Sequence, residues 1–129
     1  MSDYVKMNIK EDLDDAAPGF GLGDHLEARF GRKAMDLQQF GFSYQKFEPN
    51  YRQGFGHVHK EQEELYLVIG GGGRVKVGDE VLELRQWDAL RVEPGVTRQF
   101  EAGGDGLEYI AIGGNPTGDA EMINDWWVG

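Results

Sequence analysis

The chain has 129 residues, enough for one domain with a sizeable core, and its formal net charge of −10 sets it against nucleic-acid backbones and anionic membranes. It contains no cysteine, which excludes disulfides, thiolate metal ligands and thiol nucleophiles together. No apolar run approaches the ~18 residues of a membrane span, and Met1-Ser2-Asp3-Tyr4-Val5-Lys6 holds no apolar leader, so a cytoplasmic protein without membrane or nucleic-acid partners is expected.

Residues 1–37 read as an arm. The acidic run Glu11-Asp12-Leu13-Asp14-Asp15 precedes Pro18-Gly19-Phe20-Gly21. Asp24 with Glu27 resembles a capping box, and Leu26, Phe30 and Leu37 could form one apolar stripe, which predicts a short helix that Gly31 weakens. His25 falls in this region as a solvated surface histidine, and Arg29, Arg32 and Lys33 as a solvated face. From Gln39 the pattern turns to strands, with Phe40, Phe42 and Tyr44 on one face and Pro49-Asn50 closing the run. Arg74 to Val77, the turn Gly78-Asp79-Glu80 and Val81 to Leu84 give a hairpin signal.

Further strands are expected at Asp88 to Val92, Thr97 to Ala102 and Leu107 to Gly113, and turns at Gly70 to Gly73 and at Gly103-Gly104. Short strands at this spacing predict an all-β sandwich or jelly-roll barrel. The tail, Pro116 to Gly129, carries Trp126-Trp127, expected to dock on the barrel or on a second copy of it, with ligand stacking as the alternative.

The chemistry concentrates at His57-Val58-His59 and Glu63-Glu64. On a strand, alternate residues share a face and rise about 3.3 Å each, so the two imidazoles can share one ion. Adding a carboxylate gives a two-His, one-carboxylate set that leaves coordination positions open. Strand parity favours Glu63, while the polar break Lys60-Glu61-Gln62 could reset the register in favour of Glu64; the residues alone leave that choice open.

These residues resemble the cupin superfamily. Its first motif places two histidines one residue apart, a glutamate after three or four residues and a glycine after six more, a pattern met by His57, His59, Glu64 and Gly71. Its second motif runs from Gly-Asp through a short strand to Pro-x-Gly and a histidine. Trp87 to Arg98 follows this in outline, with Trp87 for the glycine, Glu93 for the first proline and Arg98 for the last histidine; Tyr51 stands at the first motif's leading glycine. The resemblance covers residues 38–113. It implies a double-stranded β-helix, the jelly-roll cupin barrel, flanked by the arm (1–37) and the tail (114–129). It also implies a divalent metal (Zn, Fe, Mn or Ni) on His57, His59 and Glu64, and pairing as a homodimer. Leu65, Leu67 and Ile69 alternate with Glu64, Tyr66 and Val68, so both faces of that strand want apolar cover.

Arg98 divides the functional reading. A divalent ion about 5 Å from its guanidinium would be repelled by on the order of 6 kcal/mol at an effective dielectric of 20. Either Arg98 anchors a substrate beside the ion, with Tyr44 and Tyr66 as pocket-lining donors, or it pairs with Glu64 and no metal binds. The first reading gives a metal-dependent cupin acting on a small polar organic molecule. The second gives a non-enzymatic module holding an anionic or sugar-like metabolite through Arg98. Related barrels include oxygenases, isomerases, epimerases, decarboxylases and binding domains, so enzyme and reaction type stay open.

Overall fold

The computed structural model describes residues 3–115 and 118–129. Met1 and Ser2 of the sequence start and Pro116 and Thr117 of the tail lie outside the described residues. The chain folds as an all-β jelly-roll barrel with eight strands among the described residues: β1 (Leu26–Phe30), β2 (Phe40–Phe47), β3 (Phe55–His59), β4 (Glu64–Val77), β5 (Glu80–Arg85), β6 (Ala89–Val92), β7 (Arg98–Gly114) and β8 (Ala120–Asn124). Among the described residues no helix is long and apolar enough to cross a membrane.

Two long strands organise the barrel. β7 pairs antiparallel with β4 along most of its length, with β2 through Leu107–Gly114, and with β3 at Arg98. β4 carries β5 and β6 on its other edge. The sheet continues from β2 to β1 and from β3 to β8. Odd positions of β2 and β3 face inward, as do even positions of β4 up to Val68 and, beyond the register shifts, Val75. Phe47, Tyr66, Val68, Val75, Phe100, Leu107 and Tyr109 form the buried centre. Within it the Tyr66 and Tyr109 rings lie 4.7 and 4.8 Å from Phe100, centroid to centroid. The β4–β5 hairpin turns through Gly78 and Asp79 with Gly78 at φ +58°, the left-handed first position that a tight type II′ turn demands.

The structure corrects two expectations. The helix signalled by Asp24 and Glu27 does not form: Leu26–Phe30 is strand β1, because Leu26 and Ala28 are buried in the barrel and every residue of the segment has a partner on β2. Sheet pairing outweighs a cap signal worth ~1 kcal/mol. A one-turn helix forms earlier, at α1 (Ile9–Asp12), where the Asn8 side chain accepts from the Lys10 and Glu11 amides. The glycine runs are not turns either. Gly70–Gly73 stays within β4 and Gly103-Gly104 within β7, and the register between the strands shifts at Val68/Gly70 and Gly71/Gly73. A Cβ on Gly73 would lie 2.0 Å from the Glu101 carbonyl oxygen, so the close approach of the two backbones requires glycine there.

The tail folds back on its own barrel. Trp127 is buried beneath the guanidinium of Arg52, 4.0 Å from the ring centroid, and Trp126 lies against Gly56 with the Lys76 ammonium 4.4 Å above it.

Candidate metal centre

The site is built where β3 and β4 run beside the start of β7. His57 and His59, two apart on β3, face the barrel interior, and Glu64 and Tyr66 on β4 face it from across the Lys60–Glu63 connection. One coordinating atom from each of His57, His59 and Glu64 lies within 4.8 Å of the others. The Nε2 atoms of His57 and His59 stand 3.6 and 3.4 Å from Glu64 Oε1. Glu63, which strand parity favoured, points outward to Arg91 at 2.9 Å, and Glu64 is the carboxylate that lies beside the two histidines.

Arg98 enters through register. It is the residue paired with His57 across β3 and β7, and opposite residues of an antiparallel pair share a face. Its side chain has no solvent exposure, and all three nitrogens are engaged. Nε donates to the Tyr66 hydroxyl (2.9 Å), Nη1 to the Val96 carbonyl (2.9 Å) and Nη2 to Glu64 Oε1 (2.8 Å). The Tyr66 hydroxyl in turn donates to Glu64 Oε1 and lies 3.1 Å from His57 Nε2. Among the described residues no side-chain hydrogen bond ends on Glu64 Oε2. The oxygen that both imidazoles approach is thus the one that Arg98 and Tyr66 already hold.

Asp119, which the sequence reading did not single out, completes the centre. Its Oδ1 accepts from His59 Nδ1 at 2.8 Å, while Oδ2 accepts the backbone amides of Glu61 and Gln62 at 2.8 and 2.9 Å. It thereby fixes both the imidazole and the β3–β4 connection. With one proton held on Nδ1, neutral His59 leaves Nε2 unprotonated on the Glu64 side, and a second proton there makes it a donor toward Glu64 Oε1 at 3.4 Å.

The electrostatics follow from burial and these contacts. Burial alone would raise the Glu64 carboxyl, but hydrogen bonds from His57, His59, Tyr66 and Arg98 outweigh it and hold the group well below the usual carboxylate range. Burial lowers His57, so its neutral form is favoured. The hydrogen bond to Glu64, assisted by Asp119, raises His59 against its own burial. Hydrogen bonds from the Glu61 backbone and from His59 hold Asp119 well down. Burial pushes the Tyr66 phenol far above its ordinary value, so it stays a donor.

A cavity of about 630 Å³ opens onto this cluster, with His57, His59, Glu64 and Tyr66 among its lining residues. Two other expected pocket residues are placed elsewhere. Tyr44 sits on the opposite face of β2 from Ser43 and Gln45, which do line the cavity; its hydroxyl donates to Glu108 at 2.5 Å and Lys10 covers its ring. Burial first, then the Glu108 contact, push that phenol up to about 12. Arg98 lies behind Glu64 and Tyr66 rather than in the cavity wall, so it has no nitrogen to offer a substrate. His25 is a surface residue, 2.8 Å from Glu48 and stacked on Tyr51.

A family model for the cupin domain matches residues 43–113, more than half of the chain. The chain is a cupin. Among solved structures, this cupin is similar over 100% of its length to a cupin protein from Bacteroides fragilis, covering 99% of that chain at 24% identity with a TM-score of 0.73. It is similar to a sugar phosphate isomerase of the cupin superfamily from Silicibacter pomeroyi (15% identity, 94% and 93% of the two chains, TM-score 0.72). An oxalate decarboxylase from Bacillus subtilis shares 18% identity over 79% of this cupin, which spans only 29% of that longer chain, at a TM-score of 0.68. At these identities the likeness extends to the fold. No curated protein matches the cupin by sequence.

Proposed function

We propose that this cupin uses His57, His59 and Glu64 to hold a divalent metal ion in its cavity and acts there on a small organic molecule. The observation that carries the proposal is Asp119. A carboxylate on His59 Nδ1, itself braced by two backbone amides, is the outer-shell partner that metal-ligating histidines need to fix tautomer and ring orientation. The donor set of two imidazoles and one carboxylate fits Zn, Fe, Mn or Ni. Such an ion supplies Lewis-acid polarisation of an oxygen on the bound molecule. The protein's own contribution is positional. Arg98 and Tyr66 hold the Glu64 carboxylate in one orientation, and Asp119 holds His59.

A second reading rests on the 2.8 Å contact between Arg98 and Glu64, a pair that can satisfy the site without a metal. In that case the cavity is a metal-free binding pocket. Metal analysis of protein purified without a histidine tag or chelator separates the two. Near-stoichiometric metal in the wild type that disappears in His57→Ala supports the first. Protein that fails to take up Fe, Mn, Ni or Zn supports the second.

The proposal extends to a homodimer. Leu65 and Leu67 on β4 pair with Ile112 and Ile110 on β7, and these side chains share the outer sheet face and are only half-buried. A second copy is the natural cover for that face. Sedimentation should show a dimer at micromolar concentration that Leu67→Lys converts to monomer; a wild-type monomer rejects the idea.

A further inference from the structure

We infer that the ligand of this cavity has an apolar body and a single oxygen-bearing head, and is neither a sugar phosphate nor a polyanion. The inference deepens the metal-site reading, since the head is what would meet His57, His59 and Glu64.

Three observations carry it. First, the walls leading to the cluster are apolar: Leu22, Leu26, Ala28 and Ala111 line them. Outside, Phe20, Phe30 and Met122 form a rim that is 72%, 52% and 69% exposed. Large apolar side chains left in water around one opening mark a surface that gains by being covered. Second, among the described lining residues there is no Lys or Arg, so a phosphate or second carboxylate part-way along the cavity would lose its hydration with no cation to replace it. Arg98, the nearest buried cation, has every nitrogen engaged.

Third, several acceptors of the neutral polar lining are already engaged. Gln45 Oε1 accepts from the Tyr109 hydroxyl at 3.1 Å, its amide is 3.4 Å from Ser43 Oγ, and Gln53 Oε1 accepts from the Phe100 amide at 3.0 Å. A polyhydroxylated ligand would compete with these bonds for the same acceptors. A volume of about 630 Å³ suits a ligand much larger than a two-carbon acid.

The test is a calorimetric titration of straight-chain alkyl hydroxamates, from acetohydroxamate to octanohydroxamate, into the full chain with and without added Zn²⁺. Burying each added methylene against the walls should tighten binding about fourfold. The double variant Phe20→Ser with Phe30→Ser, both exposed and so not needed for folding, should flatten the slope for the longest members. Glucose 6-phosphate should not compete at millimolar concentration. Affinity independent of chain length, no measurable binding of any member, or tighter binding of glucose 6-phosphate than of octanohydroxamate overturns the inference. A slope that persists equally with and without Zn²⁺ supports the apolar-body inference while rejecting the metal site, so the two fail separately.

Discussion

The Arg98 guanidinium reaches Glu64 at 2.8 Å from the strand position paired with His57, so one side chain braces a carboxylate on β4 from a position in register with β3. It cannot swing into the cavity without breaking its bonds to Tyr66, Val96 and Glu64 at once. Arg98→Ala strands the Glu64 carboxylate and should cost about 3 kcal/mol of folding stability. Arg98→Lys should recover little of this, because one ammonium cannot reproduce a planar fork that serves three acceptors. Urea denaturation of both variants checks the expectation, and a lysine variant with wild-type stability would show that only the charge matters.

Asp119 and His59 make a second testable pair. Asp119→Asn keeps the shape but weakens the acceptor on Nδ1 and allows the wrong tautomer. Metal affinity should fall by roughly 10–100-fold, the usual effect of removing an outer-shell partner. Competition against a chromophoric chelator reads this directly, and unchanged affinity would reduce Asp119 to a loop anchor.

How much of this was legible in the sequence depends on the range of the interaction. His57, His59 and Glu64 lie within one hairpin-length segment, so strand parity suffices to pair the two histidines, and motif spacing points to Glu64 where parity favoured Glu63. Asp119 follows His59 by 60 residues, and only the pairing of β3 with β8 makes them neighbours; no local pattern announces it. The same limit explains the lost helix. Asp24 and Glu27 carry a local cap signal, while the strand pairing of Leu26–Phe30 with Ser43–Phe47 is written elsewhere in the chain. Arg98 was legible as a departure from the motif, but its contacts depend on Tyr66 and Val96 and place it behind the pocket rather than within it.

Gly73 tests the reading of the glycine run as a close strand approach. An alanine Cβ 2.0 Å from the Glu101 carbonyl oxygen forces the β4 and β7 backbones apart. Gly73→Ala should therefore cost about 1–3 kcal/mol, the range for overpacking. The denaturation midpoint should fall with little change in slope. A neutral substitution would mean that the bulge absorbs the methyl group.

The protonation of the cluster predicts opposite pH limbs for metal-free protein. His57 is lowered by burial from its ordinary 6.5, so its contribution to stability is present above pH 6.5 and is lost as pH falls through the folded value. Glu64 is held down despite its burial, so its contribution is present above 4.5 and is lost as pH falls further. His59 has the reverse sign. Its hydrogen bond to Glu64 raises it above 6.5, so its contribution is complete below that pH and disappears as pH rises through the folded value. Stability measured in chelator should therefore peak near pH 6.5, and His59→Gln should remove the alkaline limb while leaving the acid one. A metal ion changes the balance, because it needs the unprotonated Nε2 of His59. Zinc affinity should rise with pH through the His59 transition, with proton release on binding detectable in buffers of different ionisation enthalpy. A zinc affinity flat between pH 6 and 8 would place His59 outside the coordinating set.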